Sequence, residues 1–425
     1  MSVLDVSIQL LTTPAILIGI FALVGLVLQK KTGTEVVLGT IKTILGFLIL
    51  NVGIGAFVGP MKSFESLFRT AFGAEGLFLG DNIAVGAMMT EIGSQVGLVM
   101  VLGFLVNILV ARFTPFKWIY LTGHKAWAMA GGIAFALVTL GVTGVPLVAI
   151  GAVILGLYMA IQPAVTQPYM RQVIGGDDYG FGHTYGSLAW LSGFLGKVFG
   201  NKEHNIEKIK LPKTLEYFRD ISLTLSLTML LLFIIPTIIN PASATELAGS
   251  QNIVQWIVIQ SLTATAGFLV ILQGVRMFIG ELIPAFRGIA EKLVPGAKPA
   301  LDCPVVYPFA PTAVLVGFVV GFVGWLLGMG IAGLIGLDYI PVPSLMPVVF
   351  GCTTAAVFGN ATGGTRGTII AALVTGVIWP ILGSLFYPVL PFADYGVTGT
   401  GLLTWDIYIF VLLIKGVGAL FGLGG

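Results

Sequence analysis

Apolar runs of about 20 residues recur along the whole chain, parted by short polar or Gly- and Pro-rich breaks. Each run is long enough to cross a hydrocarbon core of roughly 30 Å. The pattern predicts spans over 8–29, 35–59, 97–114, 118–140, 144–163, 221–240, 253–275, 312–336, 341–362, 367–389 and 402–423. That is about eleven transmembrane helices. The stretches 76–95, 166–200 and 276–311 are apolar but broken, as re-entrant or unwound segments are. Alternation of period two is absent, which argues against a β-barrel. No basic residues precede the first run and no small-residue cleavage site follows it, so it reads as a retained span.

Composition sharpens this picture. Of 425 residues, 56% are hydrophobic and 9% charged, with a mean hydropathy of +1.00. Soluble domains carry about 25% charged residues, so this chain lacks the polar surface to face water. The fold class is therefore an all-α polytopic membrane protein. The 58 Gly allow close helix approach and also suit unwound segments. Cys303 and Cys352 have no metal-site spacing, and no disulfide follows from them. A full Walker loop, an HExxH motif and a charge-dense catalytic region are all missing. The expectation is a chain that performs no covalent chemistry and uses no cofactor, metal or nucleic acid.

Charge is concentrated in one place. Residues 202–220 (KEHNIEKIKLPKTLEYFRD) hold nine of the 40 Asp, Glu, Lys and Arg residues. With five Lys or Arg, this segment is expected to be cytoplasmic. Lys30 and Lys31 then also point inward, which puts the N-terminus outside and the C-terminus in the cytoplasm. The loop is either a docking surface for a partner, through Lys208, Lys210 and Lys213, or a solvated linker.

Three pairs of stretches resemble one another in the same order: 39–57 with 274–290, 90–113 with 308–331, and 119–132 with 347–364. They suggest two repeat halves, 1–200 and 221–425, joined by a charged linker over 201–220. Broken hydrophobic segments at matching places in two halves point to a transporter's binding site.

Ionisable groups inside membrane segments are costly and face a cavity or a partner. Glu91 (MMTEIGSQVG), His124 (LTGHKAW), His183 (DDYGFGHTYGS) and Asp302 (PGAKPALDCPVVYPFAP) all sit where the helix pattern fails. Unwound backbone at membrane depth is tolerated where it lines a watery cavity, so the four are expected to converge on one. Each has a plainer alternative. Glu91 can pair with Lys125, His124 can be an interior histidine, His183 a loop histidine, and Asp302 a helix N-cap. Glu, Asp and two His supply the sparse donors and acceptors that a polyol or sugar acid needs. An ion-coupled secondary transporter, with Glu91 or Asp302 as the ion site, remains a second reading.

The motifs GTIKTILGF, LTGH, QGVRMFIGEL, PGA…LDC…Y.FAP.AV and KLPKTLEYFRD resemble the ascorbate-specific IIC component of the bacterial phosphotransferase system, which is related to the galactitol permeases. The resemblance runs over residues 8–420 and is most specific over 273–311. It implies an inverted-repeat fold of about eleven spans with re-entrant hairpins, a scaffold or V-motif domain forming a homodimer, and a core domain holding substrate. It also implies an inner-membrane permease whose substrate, L-ascorbate or another sugar or polyol such as galactitol, is phosphorylated by a separate cytoplasmic IIB protein. By motif match Glu91, His124, His183 and Asp302 fall on positions similar to the family's substrate-contacting ones. Thr184, beside His183, and Tyr307, in the Asp302 motif, join them. Two positions depart from the ascorbate pattern: Ala128 and Thr184 stand where Gln is familiar.

Overall fold

The computed structural model describes residues 14–72, 81–209, 221–338, 341, 347–386, 389 and 404–423. Helices dominate: α1 (Pro14–Leu28), α2 (Gly33–Phe72), α3 (Asp81–Phe113), α4 (Gly123–Thr139), α5 (Gly144–Ile174), α6 (Gly186–Phe199), α7 (Ile221–Ile239), α8 (Pro241–Ala248), α9 (Ile253–Lys292), α10 (Pro311–Leu334), α11 (Thr353–Phe386) and α12 (Trp405–Leu420). Among the described residues six helices are long and apolar enough to cross a membrane. The pair α7 and α8, bent by 118°, is a seventh if counted as one broken span. The chain is a helical membrane protein, as its hydropathy requires.

Local signals were overruled in several places. The spans expected over 35–59 and 253–275 run on as two 40-residue helices, α2 and α9, through Pro60 and Pro284. Proline removes one helical hydrogen bond and crowds the preceding turn. Here the two helices lie against one another, Lys42 Nζ meets Glu281 at 3.3 Å, and the Gln29 amide donates to the Pro284 carbonyl at 2.9 Å. Packing along the whole length outweighs one lost bond. The spans 341–362 and 367–389 are joined in α11, yet Gly364 breaks it between them with φ 58° and ψ −148°. That left-handed φ strains any residue bearing a Cβ. A π-helical turn, Pro347–Cys352, leads into α11.

The 202–220 loop is not simply a solvated linker over its first part. Ile206 is buried, and the Glu207 carboxylate accepts from the N–H groups of Thr312 (3.1 Å) and Ala313 (2.8 Å) at the start of α10. Lys208 follows in this ordered part, whereas Lys210 and Lys213 lie outside the described residues.

Three short strands were not expected at all: β1 (Trp118–Tyr120), β2 (Gly180–Phe181) and β3 (Lys298–Leu301). They form one parallel sheet in the order β1-β3-β2. Tyr120 and Gly180 both align with Ala300. Strand edges leave unpaired amides and carbonyls, and helices satisfy them. Asn107 of α3 donates to the Trp118 carbonyl (3.0 Å) and accepts from Tyr120 N–H (3.1 Å). On the other edge, Gln167 of α5 donates to the Tyr179 carbonyl at 3.3 Å. The segment 118–140 thus begins as a strand, and its helix starts only at Gly123.

Candidate functional site

Each strand runs straight into a helical turn, and those three turns carry the chemistry. β1 leads through Thr122 to His124 in the first turn of α4, β2 leads to His183 before α6, and β3 ends at Asp302, which opens the 3-10 helix Cys303–Phe309. Because the strands are parallel, all three residues emerge at the same, carboxyl end of the sheet. Residues about 60 and 120 positions apart are brought together by backbone pairing alone.

The turns are pinned. Leu121 N–H donates to the Ala300 carbonyl (2.9 Å) and Gly182 N–H to the Leu301 carbonyl (2.8 Å). Thr122 Oγ1 donates to the Gly182 carbonyl across the sheet. Gly182 is required by this approach, since a Cβ there would lie 2.7 Å from the Ala300 carbonyl carbon.

His183 Nε2 lies 3.5 Å from Asp302 Oδ1, and His124 Nε2 lies 3.6 Å from Asp302 Oδ2. The imidazole rings are 6.3 Å apart, edge to face. Asp302 Oδ1 also accepts from Cys303 N–H at 2.6 Å, so the N-cap alternative and the cluster coexist in one carboxylate. His183 is buried, the Asp302 side chain is 14% exposed, and the His124 side chain is 47% exposed. The cluster therefore has one open side, at His124. Lys125 Nζ sits 5.7 Å over the Tyr185 ring, which in turn lies 4.1 Å from His183.

The protonation of His183 follows from geometry. Its Nδ1 accepts from Tyr185 N–H at 3.1 Å, so the ring proton resides on Nε2 and points at Asp302. This matters for metals. Donor atoms of His124, His183 and Asp302 lie within 4.8 Å of one another, a set that suits a transition metal by ligand type. A metal at His183 Nε2 needs the proton on Nδ1, where it would face the Tyr185 N–H. The site is better built to offer N–H and carboxylate groups to a hydroxylated ligand than to hold an ion.

Away from the helices, the 175–179 turn is tied to β3. Asp177 accepts from Arg171 Nε and Gln167 Nε2, each at 2.7 Å, and from Lys298 Nζ. Partial burial works to raise its pKa, but the bonds from Arg171, Lys298 and Gln167 outweigh this and bring it to about 2.

The remaining expected site residues fare differently. Glu91 lies on α3, but its side chain is outside the described residues. Thr184 is fully buried, and its hydroxyl has no protein partner among the described residues. Tyr307 is fully buried, its hydroxyl donating to the Phe350 carbonyl at 3.2 Å and lying 3.8 Å from Cys303 Sγ, beside Asp302. Sequence reasoning missed Thr122 and Tyr185, which act through a cross-strand bond and a backbone N–H. Neither leaves a signal in residue type.

The sequence profile of the phosphotransferase (PTS) system sugar-specific permease component matches residues 9–406. The chain is also similar to the ascorbate-specific PTS system EIIC component of Mycoplasma pneumoniae (strain ATCC 29342 / M129), with 28% identity over an alignment 424 positions long. That alignment takes in 87% of this chain and 64% of the relative, so the chain spans under two thirds of the relative's length. With a helical membrane fold and a profile match over nearly its whole length, the chain belongs to the family of PTS sugar-specific permease components.

Proposed function

We propose that the chain is the permease of a PTS for L-ascorbate, which it binds at the His124–His183–Asp302 cluster and presents for phosphorylation to a cytoplasmic IIB protein. The observation that carries this reading is the meeting of a fixed N–H donor, an acceptor carboxylate and an exposed imidazole at one sheet end. An enediol or vicinal diol offers both donors and acceptors. Asp302 accepts from its hydroxyls, while His183 Nε2–H donates to its oxygens. Charge-assisted bonds in a partly desolvated site are the stronger kind and discriminate well between hydroxyl patterns. The relative named for ascorbate supports that substrate. Galactitol is the competing ligand, because Ala128 and Thr184 depart from the ascorbate pattern.

The finer architecture belongs to the same proposal. The chain has about eleven spans in two inverted halves, 1–200 and 221–425. A scaffold built on α1, α2, α7 and α9, which pack together, dimerises with a second copy in the inner membrane. The core is made from the remaining helices and holds the cluster. The N-terminus faces outward and the linker faces the cytoplasm, where Lys208 is one candidate contact for IIB. Glu91 completes the site from α3.

Titration of purified protein with L-ascorbate, galactitol and mannitol tests the reading. Ascorbate binding that is lost in Asp302→Asn and His183→Ala supports it. Galactitol binding alone moves the substrate assignment, and uptake that persists without IIB overturns the phosphotransfer mechanism.

A further inference from the structure

A buried carboxylate outside the cluster has most of its acceptor positions filled by one short segment. Asp406, the second residue of α12, is 3% exposed. Its Oδ2 accepts from Tyr158 Oη–H (2.7 Å) and Gly186 N–H (3.0 Å), and its Oδ1 from Ser187 N–H (2.8 Å) and the Ser187 hydroxyl. Its own backbone N–H donates to the Thr184 carbonyl at 3.2 Å. The Tyr158 hydroxyl also lies 3.3 Å from the His183 carbonyl. Every one of these contacts falls on residues 183–187 or on Tyr158, which touches the same turn.

We propose that Asp406 is a positioning residue for substrate recognition, clamping the 183–187 turn so that Tyr185 N–H holds His183 with its Nε2 proton toward Asp302. The inference rests on the assignment of His183 to the substrate site. A carboxylate has about four lone-pair positions, and four donors fill them. No acceptor capacity remains for a ligand, so Asp406 acts through the turn. The carboxylate also caps the N-terminus of α6, where negative charge is favoured. A cavity of about 440 Å³ opens beside it, lined by Ile154, Leu157, Ile161 and Ile409 together with Gln162 and Asp406 itself. On the sheet side Thr122 holds the neighbouring Gly182 carbonyl, so removing Asp406 removes most of the hold on the helix side.

The test uses Asp406→Asn in the full chain, with L-ascorbate titration and ¹⁵N-histidine NMR of the detergent-solubilised protein. The chain has only three His, so the His183 imidazole signal is assigned by its loss in His183→Ala. In the wild type that signal shows a single neutral tautomer protonated on Nε2. In Asp406→Asn an amide N–H₂ faces existing donors, and the His183 signal is expected to show tautomer exchange. Ascorbate affinity should fall about tenfold, and this effect should shrink to under about twofold in the His183→Ala background. If Asp406→Asn does not fold, Ser187→Ala and Tyr158→Phe each remove one donor and should produce the same changes in smaller degree. An unchanged His183 signal, or losses fully additive with His183→Ala, overturns the proposal. If the wild type binds no ascorbate, the substrate reading fails, and the NMR comparison still decides the role of Asp406.

Discussion

The backbone N–H of Tyr185 donates to Nδ1 of His183 at 3.1 Å, and this bond settles which face of the imidazole is a donor. With Nδ1 used as an acceptor, the ring presents Nε2–H to Asp302 Oδ1, 3.5 Å away. At that distance the pair is only loosely held, so both groups keep hydrogen-bonding capacity for a ligand that approaches from the open side. His124 closes the other side of the carboxylate from a more exposed position. The local arrangement is a donor, an acceptor and an accessible ring, fixed by backbone rather than by rotamer choice.

Removing the acceptor should cost more than removing the exposed ring. Asp302→Asn keeps the shape but loses the charge-assisted bonds, worth about 1.5–3 kcal/mol or roughly 10- to 100-fold in affinity. His124→Ala, at the open side, should cost less, on the order of 1 kcal/mol. Calorimetric titration with ascorbate, alongside size-exclusion profiles to verify folding, gives both values. Equal losses for the two variants would contradict the assignment of Asp302 as the central acceptor.

Zinc should not be a tight ligand of the cluster. Binding at His183 Nε2 requires moving the proton to Nδ1 and breaking the Tyr185 contact, which leaves a buried N–H unpaired at a cost of about 1–3 kcal/mol. Titrating Zn²⁺ against wild type and His183→Ala should give the same weak binding. A high-affinity site abolished by His183→Ala would show that the turn rearranges.

The sheet should tolerate no side chain at position 182. In Gly182→Ala the new Cβ meets the Ala300 carbonyl carbon at 2.7 Å and its oxygen at 2.8 Å, both of them backbone atoms of β3. Overpacking of this kind costs on the order of 1–3 kcal/mol and displaces His183 from Asp302. Lower thermal stability in detergent and lost ascorbate binding are expected together. A variant of normal stability and affinity would mean that β2 does not hold the site.

Asp177 predicts an acid-side dependence of stability. Its pKa is lowered to about 2 in the fold, against about 3.9 in an unfolded chain. A depressed pKa contributes stability that is full above the unfolded value and fades as the pH falls toward 2. The side chain is 38% exposed, so screening holds the contribution below about 1 kcal/mol. The melting-temperature gap between wild type and Asp177→Asn should be present at pH 6 and narrow between about pH 4 and pH 2. A gap that is constant with pH would mean that Asp177 acts by packing rather than by charge.

The sequence by itself determined the class of this protein and picked out candidate residues for its chemistry. Apolar runs of spanning length and the scarcity of charge leave only a helical membrane protein, because a backbone in lipid must satisfy its own hydrogen bonds. Intramembrane cost also singled out Glu91, His124, His183 and Asp302, since ionisable groups at broken helices need a reason to be there. Other decisions were tertiary. The three strands hold two to four residues each, too few for an alternation pattern, and exist because Asn107, Gln167 and one another satisfy their edges. The spans expected to end at 59 and 275 instead run on through Pro60 and Pro284, because α2 and α9 pack along their length. The partners of the buried Tyr307 hydroxyl, the Phe350 carbonyl and Cys303 Sγ, were likewise set by the fold. Asp406 stood in the sequence as one more acid at the head of an apolar helix. Only the fold brings it to residues 183–187, some 220 positions earlier, because a hydrogen bond depends on distance in space and leaves no trace in local spacing.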